Sequence, residues 1–319
     1  MAALIAVFSL TAAAHAGNQF TRRLSFPKQF SLGTIHYYYS AHDSDETLPC
    51  ANLKGSVGKV LGEARGDVMA PPAKNTHLYL FPSYDLVAQP EVFRSLDPNL
   101  FDCICFANKF VMEPATKVVA PLAHMTGLRR LELESAELTD KEVAQLKPLI
   151  NLEYLSLSTN IFSGATLKEL SGMTKLYSFD LSANKLTPAA YAAVAQLKNL
   201  EHLRLNHCGV DDQAIVVLAK LDKLQDLQIG QSKITKKSIP LLKGMKSLTM
   251  LGMVGSTLPA KDYALFAGSR IRRIGLSDTQ FSPAEIAIIQ RSLPGVYLSI
   301  SHNLNPVAGD NKQLFAPLH

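Results

Sequence analysis

Apolar residues return along this chain on a fixed three-position beat. Leu128, Leu131 and Leu133 set it. It recurs as Leu152, Leu155 and Leu157, then Leu176, Phe179 and Leu181, then Leu200, Leu203 and Leu205. It continues as Leu224, Leu227 and Ile229, then Leu248, Leu251 and Met253, then Ile271, Ile274 and Leu276, and ends as Gly295, Leu298 and Ile300. Successive starts lie 24 residues apart, apart from one step of 23 between 248 and 271. Only Gly295 breaks a grid of 24 positions in a chain that is 47% apolar, so the pattern is far from chance. The second and third members of each triplet lie two apart, which on a strand places both on one face.

The rest of each unit predicts a helix. An apolar residue follows the triplet (Leu138, Phe162, Leu186, Val210, Ile234, Leu258 or Phe281). The next residue is Thr139, Ser163, Thr187, Asp211, Thr235, Pro259 or Ser282. Six of these seven can accept a hydrogen bond from a free helix-start N–H. Apolar pairs at helical spacing come next, from Val143 with Leu146 to Ile286 with Ile289. No unit of this kind can bury its apolar face alone, so neighbours must stack. Stacking sets strands about 4.8 Å apart on the inside and helices about 10 Å wide on the outside, which curves the array.

The pattern L-x-x-L-x-L-x-x-N-x-L resembles the leucine-rich repeat family, and the 24-residue unit is similar to its ribonuclease-inhibitor-like and bacterial GALA-type subclasses. The ninth position holds Asn160, Asn184 and Asn303, with Ala136, Cys208, Ser232, Ser256 and Thr279 in the other units. An inward polar group there satisfies backbone that is otherwise buried without partners. The expected fold class is α/β: a leucine-rich repeat solenoid, with a curved parallel sheet inside and short helices outside. The resemblance implies protein binding in most cases and carbohydrate or other ligands less often.

An earlier segment, Leu100-x-x-Cys103-x-Cys105-x-x-Asn108-x-Phe110, also fits the template and reads as a first, irregular repeat. The array then runs over 100–304 with eight or nine repeats. Residues 24–99 do not repeat. They contain strand-like runs at Ser31–Tyr39 and Thr76–Phe81, and read as a β-rich N-terminal cap or a small module. Residues 305–319 read as a C-terminal tail.

Composition adds limits. Charged residues make up 18% and the formal net charge is +5, without a block of like charges, so no nucleic-acid partner is expected. Four cysteines at 50, 103, 105 and 208 are too few for a disulfide scaffold and lack metal-ligand spacing. Cys103 and Cys105 read as small buried hydrophobes. Residues 1–16 form an apolar run ending Ala14-His15-Ala16, too short for a stable membrane span. The run resembles a signal peptide of a secreted protein, although no Lys or Arg precedes it. The expected location is exported: periplasmic, extracellular or cell surface. A transit peptide or an ordinary buried start, and with them an organellar or cytoplasmic location, stay open.

Function is sought on the concave face, where the x positions of the strand point. Its third-position row reads Arg130, Tyr154, Ser178, His202, Asp226, Met250, Arg273, Tyr297. Tyr154, Asp180, His202, Arg204, His207, Asp226, Met250, Arg273 and Tyr297 are the candidate partner-binding residues, since Tyr and Arg anchor interfaces. The 24-residue offset sets Asp180 beside Arg204 and His202 beside Asp226. On an open face such pairs are expected to be solvated and worth about 0–1 kcal/mol. Met250, Gly252, Val254 and Gly255 are expected to form a flat apolar patch beside them. A metal or acid–base role for His202, Asp226 and Asp180 is disfavoured, because an open sheet closes no coordination shell. No P-loop, G-x-G-x-x-G, H-E-x-x-H or G-x-S-x-G motif occurs. The reading is a monomeric, non-enzymatic protein-binding scaffold without cofactor, metal or catalytic residues. A ubiquitin-ligase substrate adaptor of the F-box type and a carbohydrate or cell-surface ligand-binding protein are the alternatives.

Overall fold

Short parallel strands recur where the triplets fall. The computed structural model describes residues 20, 22–39, 59–74, 76–106 and 115–302. The targeting segment 1–16, Cys50, Asn108, Phe110, Asn303 and the tail 305–319 lie outside the described residues. The chain divides into two compact units, 1–132 and 133–319.

In the second unit the sheet is built from β8 (Tyr154–Ser156), β9 (Ser178–Asp180), β10 (His202–Arg204), β11 (Asp226–Gln228), β12 (Met250–Gly252), β13 (Arg273–Ser277) and β14 (Tyr297–Ser301). Each strand pairs in parallel with the next, in register at the 24-residue offset (23 between β12 and β13), so that Leu203 lies beside Phe179 on one side and Leu227 on the other. The grid leucines from Leu133 to Leu276 are buried. Their opposite layer is a row of short helices: Asp140–Gln145, Leu167–Gly172, Pro188–Val194, Asp212–Leu218, Ile239–Gly244, Ala260–Phe266 and Pro283–Ser292. This is a leucine-rich repeat solenoid, as the spacing predicts.

The expected caps form at Thr139, Asp211, Thr235 and Ser282, with full capping boxes at Thr139–Glu142 and Ser282–Glu285. Two units depart from an α-helix. Leu167–Gly172 and Ala260–Phe266 wind as tighter 3₁₀ turns. In the first, Gly164 breaks the entry with φ +83°, and the Thr166 hydroxyl donates to the Asp140 carbonyl instead of capping. In the second, Pro259 has no side-chain acceptor to offer.

The ninth position forms the inward ladder. Asn184 Nδ2 donates to the carbonyls of Leu157, Leu181 and Ser182, and its Oδ1 accepts from Asn160 N. Asn160 repeats the arrangement one unit earlier. Cys208 reaches Leu181 O through its thiol at 3.1 Å, and burial pushes that thiol up to about 12. Among the described residues Ser232 Oγ has no hydrogen-bond partner. Before it, the eighth position adopts a left-handed backbone in five consecutive units: Ser135, Thr159, Ala183, His207 and Gln231 all have φ between 52° and 58°. A glycine, Gly255, takes over in the sixth.

The first unit holds β2 (Gly33–Tyr39), β3 (Lys59–Glu63), β5 (Thr76–Pro82), β6 (Cys103–Cys105) and β7 (Arg130–Glu132), in the order β7-β6-β5-β2-β3. β5, β6 and β7 are parallel, and β2 pairs antiparallel with both β5 and β3. A separate ribbon joins β1 (Arg22–Ser25) to β4 (Asp67–Ala70).

Here the register of the first repeat is corrected by one residue. Ile104, not Cys103, lies beside Leu131, while Cys103 lies beside Arg130 and Cys105 beside Glu132. The inward triplet is therefore Phe101, Ile104 and Phe106, all fully buried. A one-residue slip moves every side chain to the other face. Cys103 and Cys105 sit on the helix-free face with Tyr79, Tyr38 and Phe81. Cys105 donates its thiol to Glu132 at 2.8 Å. Cys103 is disulfide-bonded, so it is not the simple buried hydrophobe expected.

Candidate functional site

The helix-free face of the second unit carries the candidate residues in two continuous rows. The register joins Tyr154, Ser178, His202, Asp226, Met250, Arg273 and Tyr297 side by side. It joins Ser156, Asp180, Arg204, Gln228, Gly252 and Gly275 in the second. Both rows follow from parallel pairing at constant repeat length, so side chains 24 residues apart become neighbours.

The centre is an ionic cluster. Arg204 Nη1 stands 3.6 Å from Asp180 Oδ2, and His202 Nδ1 stands 3.8 Å from Asp226 Oδ2. Gln228 Nε2 donates to Asp226 Oδ1, and Ser182 N donates to Asp180 Oδ1. Both pairs set by the 24-residue offset are present. Their expected solvation is not: Asp226 is 1% exposed, and the Arg204 side chain only 17%. Burial works against the Arg204 charge, but Asp180, Tyr154 and Asp226 outweigh it and raise its pKa. Gln228 helps to cover Asp226, because its amide donates to that carboxylate while lying across Gly252.

Glu134, which is not among the candidates predicted from the sequence, belongs to this cluster. Burial and the nearby Asp180 charge raise its pKa, against hydroxyls of Ser156 and Ser158 that lower it. Ser156 Oγ donates to Glu134 Oε1 at 3.0 Å. Its signal was its place at the seventh position, on the same face as Ser158 and Ser182.

The flat apolar patch does not form. A Cβ on Gly252 would stand 1.7 Å from Gln228 Oε1, because that amide lies across the glycine. Gln231 covers Gly255 in the same way, and Gly230 N donates to Asn206 Oδ1. Each glycine is filled by the longer polar side chain one unit earlier. Val254 is buried and Met250 half-buried.

The remaining candidates spread outward. His207 lies one residue past Asn206 in the left-handed turn, half-buried. Arg273 lies buried beneath Tyr297, its Cζ 5.4 Å from the ring centroid, while Tyr297 is 58% exposed. Beyond them His302 Nδ1 pairs with Asp278 Oδ2 at 2.5 Å. Among the described residues no group of three His, Cys, Asp or Glu side chains is arranged to hold a metal ion. No described helix is long and apolar enough to cross a membrane.

No protein-family model matches the sequence, and no curated protein matches it significantly. Solved structures do. An internalin C2 from Listeria monocytogenes is 23% identical with a TM-score of 0.41, over 55% of this chain and 68% of that one. An internalin F from the same organism is 18% identical with a TM-score of 0.38, over 58% and 63%. The Arabidopsis receptor kinase HAESA ectodomain, solved with an extended IDA peptide hormone, is 17% identical with a TM-score of 0.41, over 62% and 32%. The chain thus spans less than two thirds of the last two.

Proposed function

We propose that this leucine-rich repeat solenoid is a non-enzymatic scaffold that captures a protein partner on the helix-free face of β8–β14. The observation that carries this reading is the ionic cluster at the centre of that face, in which Asp180 and Asp226 are buried, Arg204 is largely shielded and His202 is half-buried at the rim. Buried charges held by fixed partners give a preorganised, directional floor, which suits recognition better than a solvated ladder does. Above that floor His202, Met250 and Tyr297 remain accessible, and tyrosine, here held over Arg273, is among the residue types that most often anchor interfaces. An exported location fits the disulfide at Cys103, since such bonds persist in oxidising compartments.

The test is capture of the partner from the native host by the intact chain and by a triple variant, His202→Ala, Met250→Ala, Tyr297→Ala. The expected result is loss of capture by a variant that still unfolds cooperatively, even where its melting temperature is lowered. Undiminished capture by a folded triple variant moves the site to another surface.

A further inference from the structure

We propose that the edge of the solenoid formed by its helix-to-strand connections binds a linear acidic polysaccharide. In the sequence the charges look scattered. Stacking gathers them. Because the strands are parallel, every connection from a helix to the following strand emerges at the same end of the sheet, and every strand-to-helix connection at the other. Between the helices and strands of the second unit, the helix-to-strand connections hold eight Lys and Arg against Glu153, Glu201 and Asp222. The strand-to-helix connections hold Lys185, Lys233, Lys236 and Lys237 against Glu134, Glu137, Asp211 and Asp278. One edge therefore carries +5, as much as the formal charge of the whole chain, while on the opposite edge the charges cancel.

The basic edge is continuous. Lys175 Nζ donates to Asn151 Oδ1 at 2.8 Å, Asn199 Nδ2 to Thr174 O at 2.6 Å, Lys223 Nζ to Asn199 Oδ1 at 2.7 Å, and Ser247 Oγ to Asp222 O at 2.8 Å. Neighbouring connections thus touch from one unit to the next. Cations recur in all six connections from Lys147 to Arg272, a line of about 25 Å at the usual strand spacing. Lysines near helix ends often serve the helix dipole, and Lys198 does donate to Ala195 O. Lys175, Lys223, Lys246 and Arg270 make no ion pair among the described residues; where bonded, they rest on neutral amides. Such a row of like charges repels itself until an anion lies along it.

The chemistry of the row favours a polysaccharide bearing carboxylate or sulfate groups. Lysine presents a compact charge that takes an anion without strict geometry, which suits spaced anions on a polymer. Single-stranded nucleic acid needs aromatic platforms for its bases. Tyr177 is the one aromatic residue in these connections; it is half-buried and meets His202 edge to face, so no row of exposed rings follows the cations. An anionic membrane is bound with apolar side chains beside the cations. Ile150 is the one large apolar side chain exposed in these connections.

The test measures affinity of the intact chain for heparin oligosaccharide and polygalacturonate, with neutral dextran, a single-stranded oligonucleotide and phosphatidylserine vesicles as comparators. The edge variant reverses Lys175, Lys223, Lys246 and Arg270 to Glu. A control reverses Lys141, Lys185, Lys233 and Lys261 on the opposite side, at the same net charge. The expected result is salt-dependent binding to the acidic glycans, weakened about tenfold or more in the edge variant and much less in the control. Three results overturn the proposal: no glycan binding at physiological ionic strength, equal weakening in two folded variants, or tighter binding to oligonucleotide or vesicles.

Discussion

Arg204 on β10 and Asp180 on β9 face each other across parallel strands, Nη1 to Oδ2 3.6 Å apart, both largely shielded from solvent. Removing one partner strands the other. Arg204→Met should destabilise the chain by roughly 3 kcal/mol, because Asp180 stays buried without its counter-charge. Adding Asp180→Asn should recover most of that loss, since the amide oxygen still accepts from Ser182 N. A urea-unfolding cycle measures the coupling. Additive losses would sink the view of these two as one unit.

The inward ladder should be uneven along the array. Asn184→Ala removes four hydrogen bonds in buried surroundings, for a loss of roughly 3 kcal/mol or more. Ser232→Ala at the equivalent position should change stability by less than about 0.5 kcal/mol, because its hydroxyl already lacks a partner. Comparable losses at both sites in denaturant titrations would contradict the ladder.

Glu134 should make the fold less stable as pH rises. Its pKa is raised in the folded state by burial and by Asp180, so the folded chain holds that proton more tightly than the unfolded one. The stabilising contribution is complete below the unfolded value and is lost as pH climbs through the folded value. Glu134→Gln should leave stability unchanged in acid and increase it near neutrality. Melting temperatures between about pH 4 and about pH 8 would show the gap widening upward; a constant gap speaks against it.

Asp140 and Asp212 should act in the opposite sense. Each sits at the first position of its helix and accepts hydrogen bonds from the following unit: Asp140 from Ser163 and Thr166, Asp212 from Thr235 and Ser238. Burial works to raise both pKa values, but these bonds outweigh it and hold them low. Their contribution is present above the unfolded value and is lost as pH falls through the folded one. Asp212→Ala should cost about 1 kcal/mol at neutral pH and little in strong acid. An equal cost at both ends of the range would refute the inter-unit tie.

Cys208 should resist alkylation. Its thiol is buried, bonded to Leu181 O and pushed up to about 12, leaving scarcely any thiolate near pH 8. Mass spectrometry after iodoacetamide should find it unmodified in the native chain and modified in urea.

Much of this was legible in the sequence because a constant repeat turns position into neighbourhood. The grid leucines, four of the side-chain caps and the pairs Asp180–Arg204 and His202–Asp226 all follow from counting by 24. Three things did not follow. The register at Cys103 was ambiguous, because Leu100, Cys103 and Cys105 fit the template as well as Phe101, Ile104 and Phe106 do. The shielding of Asp226 depends on how Gln228 and its neighbours fill the space over small residues, which spacing does not encode. The left-handed backbone at Ser135, Thr159, Ala183, His207 and Gln231 is imposed by stacking, since none of these is the glycine that such a turn favours.

The ties between units run in both directions. Asn184 serves the backbone of the unit before it, and Asp140 and Asp212 are engaged by the unit after them. Each boundary is closed by groups that repeat only once per 24 residues, so a chain pulled from its C-terminal end under force meets the same small set of restraints again and again. Extension should then advance in steps, each releasing about 80 Å of contour for one repeat, rather than in a single rupture of the whole array.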